Sequence, residues 1–326
     1  MRSRPKWMSQ MVGHFWTVGP ALWEERGGKK LPGEQQWMEP VENEFGEPIL
    51  RSGAFVPGED EESLVVILHG LGGTTDRSYC VRAARAAQNH GVASLRLALR
   101  GSDGLGEDLH HAGFVDDLAP ILARPPFDRF QRVALVGFSL GGAVALHAAG
   151  RSVEPRIAAV AAVCPPLDLP ACQRQIDRPA SWPYRHYLLR ALKATYPLIA
   201  LGGGGRTPPE RVAQAMTLRE WDRLTVVPRF GFSSVDEYYR TQSSGPVLAQ
   251  LEVPGLVVVG EADPIVPATS LRGHLVNASD AVTVRWVRDG GHVFFDPSVT
   301  LGISGATPGV EAQVVAWVKN RLSERG

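Results

Sequence analysis

The chain has 326 residues, of which 44% are hydrophobic and 21% charged, an ordinary composition for one large domain with an insertion or for two modest domains. Lysine plus arginine and aspartate plus glutamate each total 34, so no global charge attracts nucleic acid or an anionic membrane. The cysteines Cys80, Cys164 and Cys172 form no CxxC pair, which argues against a zinc cage, a redox dithiol or a disulfide framework and indicates a reducing compartment.

Residues 1–60 are rich in Trp, Gly, Pro and Glu and show weak periodicity. We interpret them as an N-terminal wrap with two short strands around Ile49–Phe55. The stretch Met8–Trp23 follows basic residues, as in a signal peptide, but polar residues and a proline interrupt it and no Ala-x-Ala cleavage site follows. No apolar run in the chain approaches the length of about 18 residues that spans a bilayer. We therefore expect a cytoplasmic protein without a transmembrane segment.

From residue 61 onwards, the pattern of apolar residues predicts alternating strands and helices. The apolar run Leu64–Leu68 predicts a strand that is buried on both faces. Such alternation is typical of right-handed βαβ units on a parallel sheet. The elements predicted next are a helix Cys80–His90 ended by Gly91, a strand Val92–Leu97, a helix Phe114–Ala123, a strand Arg132–Val136, a helix Leu140–Ala149 ended by Gly150, and a strand Ile157–Val163.

The alternation stops between about 169 and 250, where aromatic residues, helical pieces and the tetraglycine run Gly202–Gly205 occur. It resumes with predicted strands Leu256–Val259 and Val282–Val287 and a helix Val310–Leu322. An insertion between two halves of one sheet is simpler than two domains, because neither half has enough strands alone. We therefore predict one α/β domain with a mostly parallel central sheet flanked by helices. Its core comprises 61–168 and 251–326, and 169–250 is a helical cap.

The pentapeptide Gly137–Gly141 has the sequence Gly-Phe-Ser-Leu-Gly and lies between a predicted strand and a predicted helix. A GxSxG sequence in that context is typical of a nucleophile elbow, where the serine occupies a tight and strained turn. The positions two before and two after the serine crowd each other and therefore need to lack a Cβ. A chance glycine-rich pentapeptide is the alternative, which the strand–turn–helix context disfavours. We predict Ser139 as the nucleophile.

A serine hydroxyl needs a base, and nine histidines compete for that role. The chain order of α/β hydrolases is serine, acid, histidine, which leaves His147, His186, His274 and His292. The first lies along the elbow helix, the second in the insertion and the third in a predicted helix. His292 instead follows two glycines in a loop at the carboxyl edge of the sheet, where catalytic groups gather. We predict His292 as the base, against the alternative of an exposed loop histidine.

The acid is expected in the loop after the strand Leu256–Val259. Asp263 is favoured because Pro264 restricts the backbone of that turn. Glu261 is the second candidate, Asp289 is too close to His292 along the chain, and an aspartate that only initiates a turn is the alternative interpretation. We predict that Asp263 holds the histidine tautomer and stabilises the imidazolium without taking a proton itself.

An oxyanion hole needs two backbone N–H groups aimed at the developing charge. The first donor is predicted to be Leu140, the residue after the nucleophile. The second is expected from the loop His69–Gly73, with Leu71 as the preferred donor. His69 itself is interpreted as a structural residue that bonds within this loop.

Other motifs predict no further chemistry. His110 and His111 are adjacent and cannot face the same way on a strand, which argues against a paired metal site. The sequence has no HExxH motif, and Gly202–Gly205 lacks the Lys-Ser/Thr of a phosphate-binding loop. Asp116 and Asp117 are expected to begin the exposed side of a helix. We therefore expect neither a metal nor a cofactor.

These motifs in this order resemble the YheT-like branch of α/β hydrolases over roughly residues 60–295. The resemblance implies the α/β-hydrolase fold, no cofactor, and carboxylesterase or acylglycerol-lipase activity. The family's Asn-Leu-Arg-Gly-Cys is replaced here by Ala98–Ser102. The segments that carry the resemblance are His69–Gly73, Leu99–Gly101, His111–Gly113 with Asp116–Leu118, Gly137–Gly142, Tyr184–Leu188, Gly231–Phe232 with Glu237–Arg240, Asp263–Pro264 with Val266–Pro267, and Gly290–His292.

The combined prediction is a serine hydrolase that cleaves a small-molecule ester of short or medium acyl chain through an acyl-enzyme. Aromatic and apolar residues of 169–250 are expected to shield an acyl pocket from water. The same triad would also suit a thioesterase, a lactonase or an amidase. A catalytically silent binding protein that kept the fold is the alternative from another class.

Overall fold

The computed structural model describes residues 11–17, 30–43, 46–105 and 108–324 of the 326-residue chain. Within these ranges, eight strands form one sheet in the order β1-β2-β4-β3-β5-β6-β7-β8. β1 pairs with β2 and β2 with β4 in antiparallel fashion, whereas the other neighbours are parallel. The strands are β1 (Gln35–Glu42), β2 (Pro48–Val56), β3 (Asp60–Leu68), β4 (Val92–Leu97), β5 (Arg132–Phe138), β6 (Ile157–Val163), β7 (Gly255–Gly260) and β8 (Val282–Val287).

The central strands β3, β5 and β6 contain continuous buried apolar runs because both faces of the sheet are covered there. Leu64 and Val66 of β3 belong to one buried cluster and Val65 and Ile67 to another, as the alternation of side chains along a strand requires. The helix Leu140–Gly150 packs in the first cluster, and the helices Ser78–Asn89 and Val310–Ser323 pack in the second. The predicted mostly parallel sheet with flanking helices is confirmed.

Two local predictions are wrong. The helix predicted over Phe114–Ala123 is limited to Leu118–Leu122, and Asp117 before it is buried rather than exposed. Its carboxylate pairs with the buried Arg100 guanidinium at 2.6 Å, which pulls the side chain inward. Gly150 does not cap the elbow helix in a left-handed conformation but is its last residue. A glycine is favoured there because a Cβ would lie 2.1 Å from the Cγ1 atom of Val247, and that side chain would have to move.

Between β6 and β7 the described elements are all helical, and residues 169–250 are called the helical insert below. Tyr196 and Trp221 form the centre of its own apolar cluster, with their rings edge to face at 5.6 Å. The first glycine of the tetraglycine run caps the helix Trp182–Leu201. The α-helices of the insert are Leu169–Ile176, Trp182–Leu201, Pro209–Val212, Leu218–Leu224, Val226–Phe230 and Val235–Gln242, with 3-10 turns at Pro179–Ser181 and Pro246–Gln250. One further helix, Ala268–Val276, follows β7.

The N-terminal region contributes the strands β1 and β2, which are longer than the two short strands predicted around Ile49–Phe55. Of the stretch Met8–Trp23, weighed above as a signal sequence, residues 11–17 are helical and the rest lies outside the described residues. No helix in the described part of the chain combines the length and the apolar character that crossing a bilayer requires.

Candidate active site

The candidate residues share one edge of the sheet because each follows the carboxyl end of a strand. His69 follows β3, Ser139 follows β5 and Cys164 follows β6, while Asp263 and His292 lie in the loops after β7 and β8. The carboxyl ends of parallel strands meet at the same edge, where catalytic groups gather in open α/β sheets. The topology therefore gathers residues that are far apart in the sequence.

Ser139 occupies the turn between β5 and the helix Leu140–Gly150 with φ 52° and ψ −121°. A left-handed conformation is rare for a residue with a side chain and marks a strained turn. A Cβ added to Gly137 would lie 2.1 Å from the Gly141 carbonyl oxygen, and one added to Gly141 would lie 2.5 Å from the His69 carbonyl oxygen. Both glycines are therefore required by the close approach of backbone to backbone.

His292 connects Ser139 to Asp263 through both nitrogens of its ring. The Nε2 atom lies 2.7 Å from the Ser139 Oγ atom, and the Nδ1 atom lies 2.8 Å from the Asp263 Oδ2 atom. With the Nδ1–H donating to the carboxylate, Nε2 is left as the acceptor for the serine hydroxyl proton. The structure thus brings together the three side chains that the sequence nominated, and it buries Asp263 and His292.

Asp263 is held by its own loop. Its Oδ1 atom accepts hydrogen bonds from the backbone N–H groups of Ile265 at 2.8 Å and Val266 at 2.9 Å, which leaves Oδ2 for the histidine. The second candidate, Glu261, lies at the surface 3.5 Å from Arg288, and Asp289 is exposed. Neither of these two carboxylates lies in the hydrogen-bonded chain that reaches Ser139.

The loop His69–Gly73 lies directly against the serine. A Cβ on Gly70 would lie 3.1 Å from the Ser139 Cβ atom, so this loop can approach only where that position lacks a side chain. Within the described residues, neither the Leu71 nor the Leu140 N–H donates to a protein acceptor. Leu140 also opens the elbow helix, whose N-terminal dipole favours negative charge nearby. Two N–H groups are therefore available beside the serine.

His69 is buried and bonded on both ring nitrogens. Its Nδ1 atom lies 2.8 Å from the Gly70 carbonyl oxygen, and its Nε2 atom accepts from the Leu99 N–H at 3.2 Å. Burial lowers the pKa of His69 to about 3, so the ring is neutral near pH 7. Its hydrogen bonds join the loop after β3 to the residues that follow β4.

Two residues that sequence reasoning missed contact the acid and histidine loops. Cys164 is buried, with its Sγ atom 3.9 Å from the Gly291 carbonyl oxygen and within 4.8 Å of ligand atoms of Asp263 and His292. Burial raises the pKa of this thiol well above its ordinary value, so near pH 7 the thiol is protonated. Thr17 accepts a hydrogen bond from the His292 backbone N–H at 2.8 Å. No local sequence signal marks either contact.

A cavity of about 470 Å³ lies between the catalytic loops and the helical insert. A volume of this size suits a small-molecule ligand. Ser139, His292 and the loop His69–Gly73 line one part of it. The helical insert supplies most of the remaining wall, including Ile176, Tyr184, Leu188, Leu192, Trp221 and Tyr239. The cavity is therefore apolar for most of its surface and polar where the serine lies.

The wall of this cavity also contains a buried carboxyl group. Asp222 accepts a hydrogen bond from the Tyr239 hydroxyl at 2.6 Å. Burial raises the pKa of Asp222 from 3.8 to about 7, although the hydrogen bond from Tyr239 opposes this shift. The group is consequently titratable near neutral pH.

Buried ion pairs join the insert to the core beside the cavity. Arg229 of the insert donates to both carboxylate oxygens of Asp108, at 2.7 and 2.5 Å. Asp108 also accepts from Arg100 at 2.7 Å, and Arg100 in turn pairs with Asp117. His110 bonds the Arg100 carbonyl oxygen, and burial lowers the pKa of His111 to about 3. Burial also lowers the pKa of His110, so both adjacent histidines are neutral near pH 7.

The sequence model of the protein family described as "Alpha/beta hydrolase family" matches residues 65–299 of this chain. The chain is 30% identical over 211 residues to YheT of Escherichia coli, which covers 61% of this chain and 61% of that protein. It is 24% identical over 250 residues to phospholipase ABHD3 of Homo sapiens, covering 71% of this chain and 58% of that protein. It is 25% identical over 263 residues to monoacylglycerol lipase of Saccharomyces cerevisiae, covering 71% of this chain and 56% of that protein. The chain spans about three fifths of the length of these curated relatives.

Solved structures with the same fold include a 2,6-dihydroxy-pseudo-oxynicotine hydrolase. It has a TM-score of 0.60 and 18% identity, and the match covers 90% of this chain and 69% of that one. An esterase of Pyrococcus furiosus has a TM-score of 0.53 and 14% identity, and the match covers 82% of this chain and 89% of that one. At such identities the likeness concerns the arrangement of the sheet and its helices.

Proposed function

Since this chain belongs to the alpha/beta hydrolase family and resembles its YheT-like branch, we propose that it is a serine hydrolase of carboxylic esters. In this proposal Ser139 is the nucleophile, His292 the general base and Asp263 the residue that orients the base. The observation that carries the proposal is the unbroken hydrogen-bonded chain from the Ser139 Oγ atom through the imidazole to Asp263, with distances of 2.7 and 2.8 Å.

Acylation begins when the Ser139 Oγ atom attacks the ester carbonyl carbon and His292 Nε2 takes the hydroxyl proton. The carbonyl oxygen becomes an oxyanion, to which the Leu71 and Leu140 N–H groups donate. When the tetrahedral intermediate collapses, the bond to the alcohol oxygen breaks and His292 returns the proton to that oxygen. The carboxylate of Asp263 stabilises the imidazolium throughout.

Deacylation repeats these steps with water as the nucleophile. His292 Nε2 takes a proton from the water, which attacks the acyl carbon, and the same two N–H groups hold the second oxyanion. Collapse releases the carboxylic acid and returns the proton to Ser139. These two N–H groups have no acceptor in the described part of the chain, which supports this assignment, because a bound oxyanion would satisfy both.

We further propose that the helical insert is a cap and that its cavity takes the acyl chain. The apolar wall formed by Ile176, Leu188 and Leu192 suits a hydrocarbon chain better than a charged group. Closing the serine under the insert also keeps water away from the reacting carbonyl until deacylation. The phospholipase and monoacylglycerol lipase among the relatives make acylglycerol-type esters of small or medium chain the first substrates to test.

The test is a chain-length series of chromogenic esters assayed with the native protein and with Ser139→Ala. Removing the nucleophile should lower kcat by about 10⁶-fold if the triad acts as a unit. Ser298→Ala, at an exposed serine, is the control and should change nothing. A Ser139→Ala protein with near-native esterase activity would contradict the assignment.

A covalent probe tests the nucleophile without knowledge of the substrate. A fluorophosphonate should label the native protein once, and mass spectrometry of its peptides should place the adduct on Ser139. An intact protein without an adduct would favour a catalytically silent binding protein. Matched ester, thioester and amide substrates then separate esterase, thioesterase and amidase activity by their kcat/KM values.

A further inference from the structure

A helical segment far from the triad in the sequence contacts its histidine. Residues 11–17, called the strap below, lie outside the range 65–299 that matches the family model. We propose that Thr17 positions His292 for general-base catalysis, and that the strap links the histidine loop, the acid loop and the helical insert. This inference rests on the proposed function, because it assigns a role in the same reaction.

The Thr17 hydroxyl makes two directed hydrogen bonds. It donates to the Gly13 carbonyl oxygen at 2.7 Å, one helical turn earlier, and it accepts from the His292 backbone N–H at 2.8 Å. Since the first bond uses the hydroxyl proton, the lone pairs of the oxygen face the histidine loop. Thr17 is 7% exposed, so water does not readily replace this acceptor. An unpartnered N–H at a buried His292 would be costly.

The histidine loop needs such external support because its backbone is strained. Val293, the residue after His292, has φ 57°, a left-handed conformation that a β-branched residue rarely adopts. Strain of this kind persists only where surrounding contacts over-determine the conformation. The hydrogen bond from the His292 N–H to Thr17 is one such contact, placed directly beside the strained residue.

The strap and the catalytic loops approach each other so closely that the contact leaves no room for side chains at two glycines. A Cβ on Gly291 would lie 2.2 Å from the Thr17 Oγ1 atom and 2.3 Å from the Gly13 carbonyl oxygen. A Cβ on Gly13 would lie 1.9 Å from the carbonyl oxygen of Ala262, the residue before the acid. Glycine on both sides of this contact allows the strap to touch the acid loop and the histidine loop together.

The strap also reaches the helical insert. The His14 Nδ1 atom lies 2.5 Å from the Tyr184 hydroxyl, and the two rings stack with centroids 5.7 Å apart. Tyr184 belongs to the helix Trp182–Leu201 and lines the cavity. One short helical segment therefore contacts the base loop, the acid loop and the wall of the acyl pocket.

The experiment compares Thr17→Val, Thr17→Ser and the native protein by steady-state kinetics at a temperature well below every Tm. Valine keeps the shape of threonine but removes the acceptor, so the histidine loop shifts. Displacement of a catalytic group by about 1 Å costs on the order of 10²-fold in rate. We expect kcat to fall about 10- to 100-fold in Thr17→Val with KM within about twofold, and Thr17→Ser to retain kcat within about threefold.

The matched control is Thr241→Val. Thr241 is exposed and donates the same kind of bond one helical turn back, to the Glu237 carbonyl oxygen at 2.8 Å, so its kcat should be unchanged. If Thr17→Val does not fold, Thr17→Ala replaces it, because alanine removes the same acceptor and fits the same space. The rate of fluorophosphonate labelling provides a second readout and should fall in parallel with kcat.

Three outcomes would overturn the positioning role. They are a Thr17→Val protein with native kcat, a Thr17→Ser protein that loses as much kcat as Thr17→Val, and a loss that appears only in Tm. A native protein that neither hydrolyses esters nor reacts with the fluorophosphonate at Ser139 would instead contradict the proposed function. The two failures are therefore distinguishable.

Discussion

The loops at the sheet edge and the helical insert are held in different ways. In the loops, backbone touches backbone: a Cβ on Gly137, Gly141 or Gly291 would approach a neighbouring oxygen to 2.5 Å or less. In the insert, packing is between side chains, as in the edge-to-face pair of Tyr196 and Trp221 with ring centroids 5.6 Å apart.

The two regions are expected to control different properties, the rate of the reaction in the loops and the choice of substrate in the insert. Backbone contacts leave no room for an added methyl group, so the reacting atoms are placed within tight limits. Side-chain clusters accept substitutions of similar volume at small cost. We therefore expect substitutions at the sheet edge to lower kcat strongly, and substitutions in the insert to alter which substrate is accepted. Four predictions test this contrast.

Of these four, the largest effect is expected at Asp263. Asp263→Asn keeps the size of the side chain but places an amide where the carboxylate accepts the His292 Nδ1–H at 2.8 Å, which favours the wrong histidine tautomer. We expect kcat to fall by about 10⁴-fold in the ester assay. Glu261→Gln is the control, and an unchanged rate in Asp263→Asn would make another carboxylate the orienting group.

The next effect concerns the buried ion pairs between insert and core. Arg229→Met removes the partner that binds both oxygens of the buried Asp108, at 2.7 and 2.5 Å. We expect the free energy of unfolding to fall by about 3 kcal/mol, measured by denaturant titration, because a buried carboxylate loses one of its two cations. Arg219→Met, which breaks an exposed pair with Asp236, should leave the transition midpoint almost unchanged. Equal losses of unfolding free energy in Arg229→Met and Arg219→Met would contradict a stabilising role for the buried ion pairs between insert and core.

A smaller and selective effect is expected in the cavity wall. Leu188→Trp adds volume to the pocket side of the helix Trp182–Leu201. We expect kcat/KM for the longest esters that the native protein accepts to fall about 10- to 100-fold, with the shortest ester within about twofold. Leu201→Trp, on the same helix but 87% exposed, is the control. A uniform loss across the series would place Leu188 outside the acyl site.

The smallest effect is a dependence of stability on pH. Burial raises the pKa of Asp222 from 3.8 to about 7, so between these values the folded protein keeps a proton that the unfolded chain has released. The free energy of unfolding therefore decreases as the pH rises through this window. Asp222→Asn should reduce the difference in Tm between about pH 5 and about pH 8 by a few degrees. Asp236→Asn, at an exposed aspartate, is the control. If the change of Tm with pH were the same in Asp222→Asn as in the native protein, the raised pKa of Asp222 would be contradicted.

Much of the fold was predictable because buried parallel strands are continuous apolar runs. Val92–Leu97, Ile157–Val163 and Val282–Val287 were predicted with the bounds that the structure has. The prediction was wrong at Asp117, because its burial depends on Arg100, a residue from another loop. An acidic pair before an apolar stretch looks like an exposed helix start when the partner is unknown.

The sequence by itself determined the order of strands and helices and a serine between two glycines at a strand-to-helix turn, because these depend on short-range sterics and apolar periodicity. The sequence also favoured His292 over three other histidines, because two glycines precede it in a loop after the last strand. Only the tertiary structure decided that its ring reaches Ser139 and that Thr17 binds its backbone N–H. Those hydrogen bonds join residues separated by 153 and 275 positions. Contacts at such separations leave no local pattern, since they exist only once the sheet has brought its carboxyl edge and the N-terminal strap together.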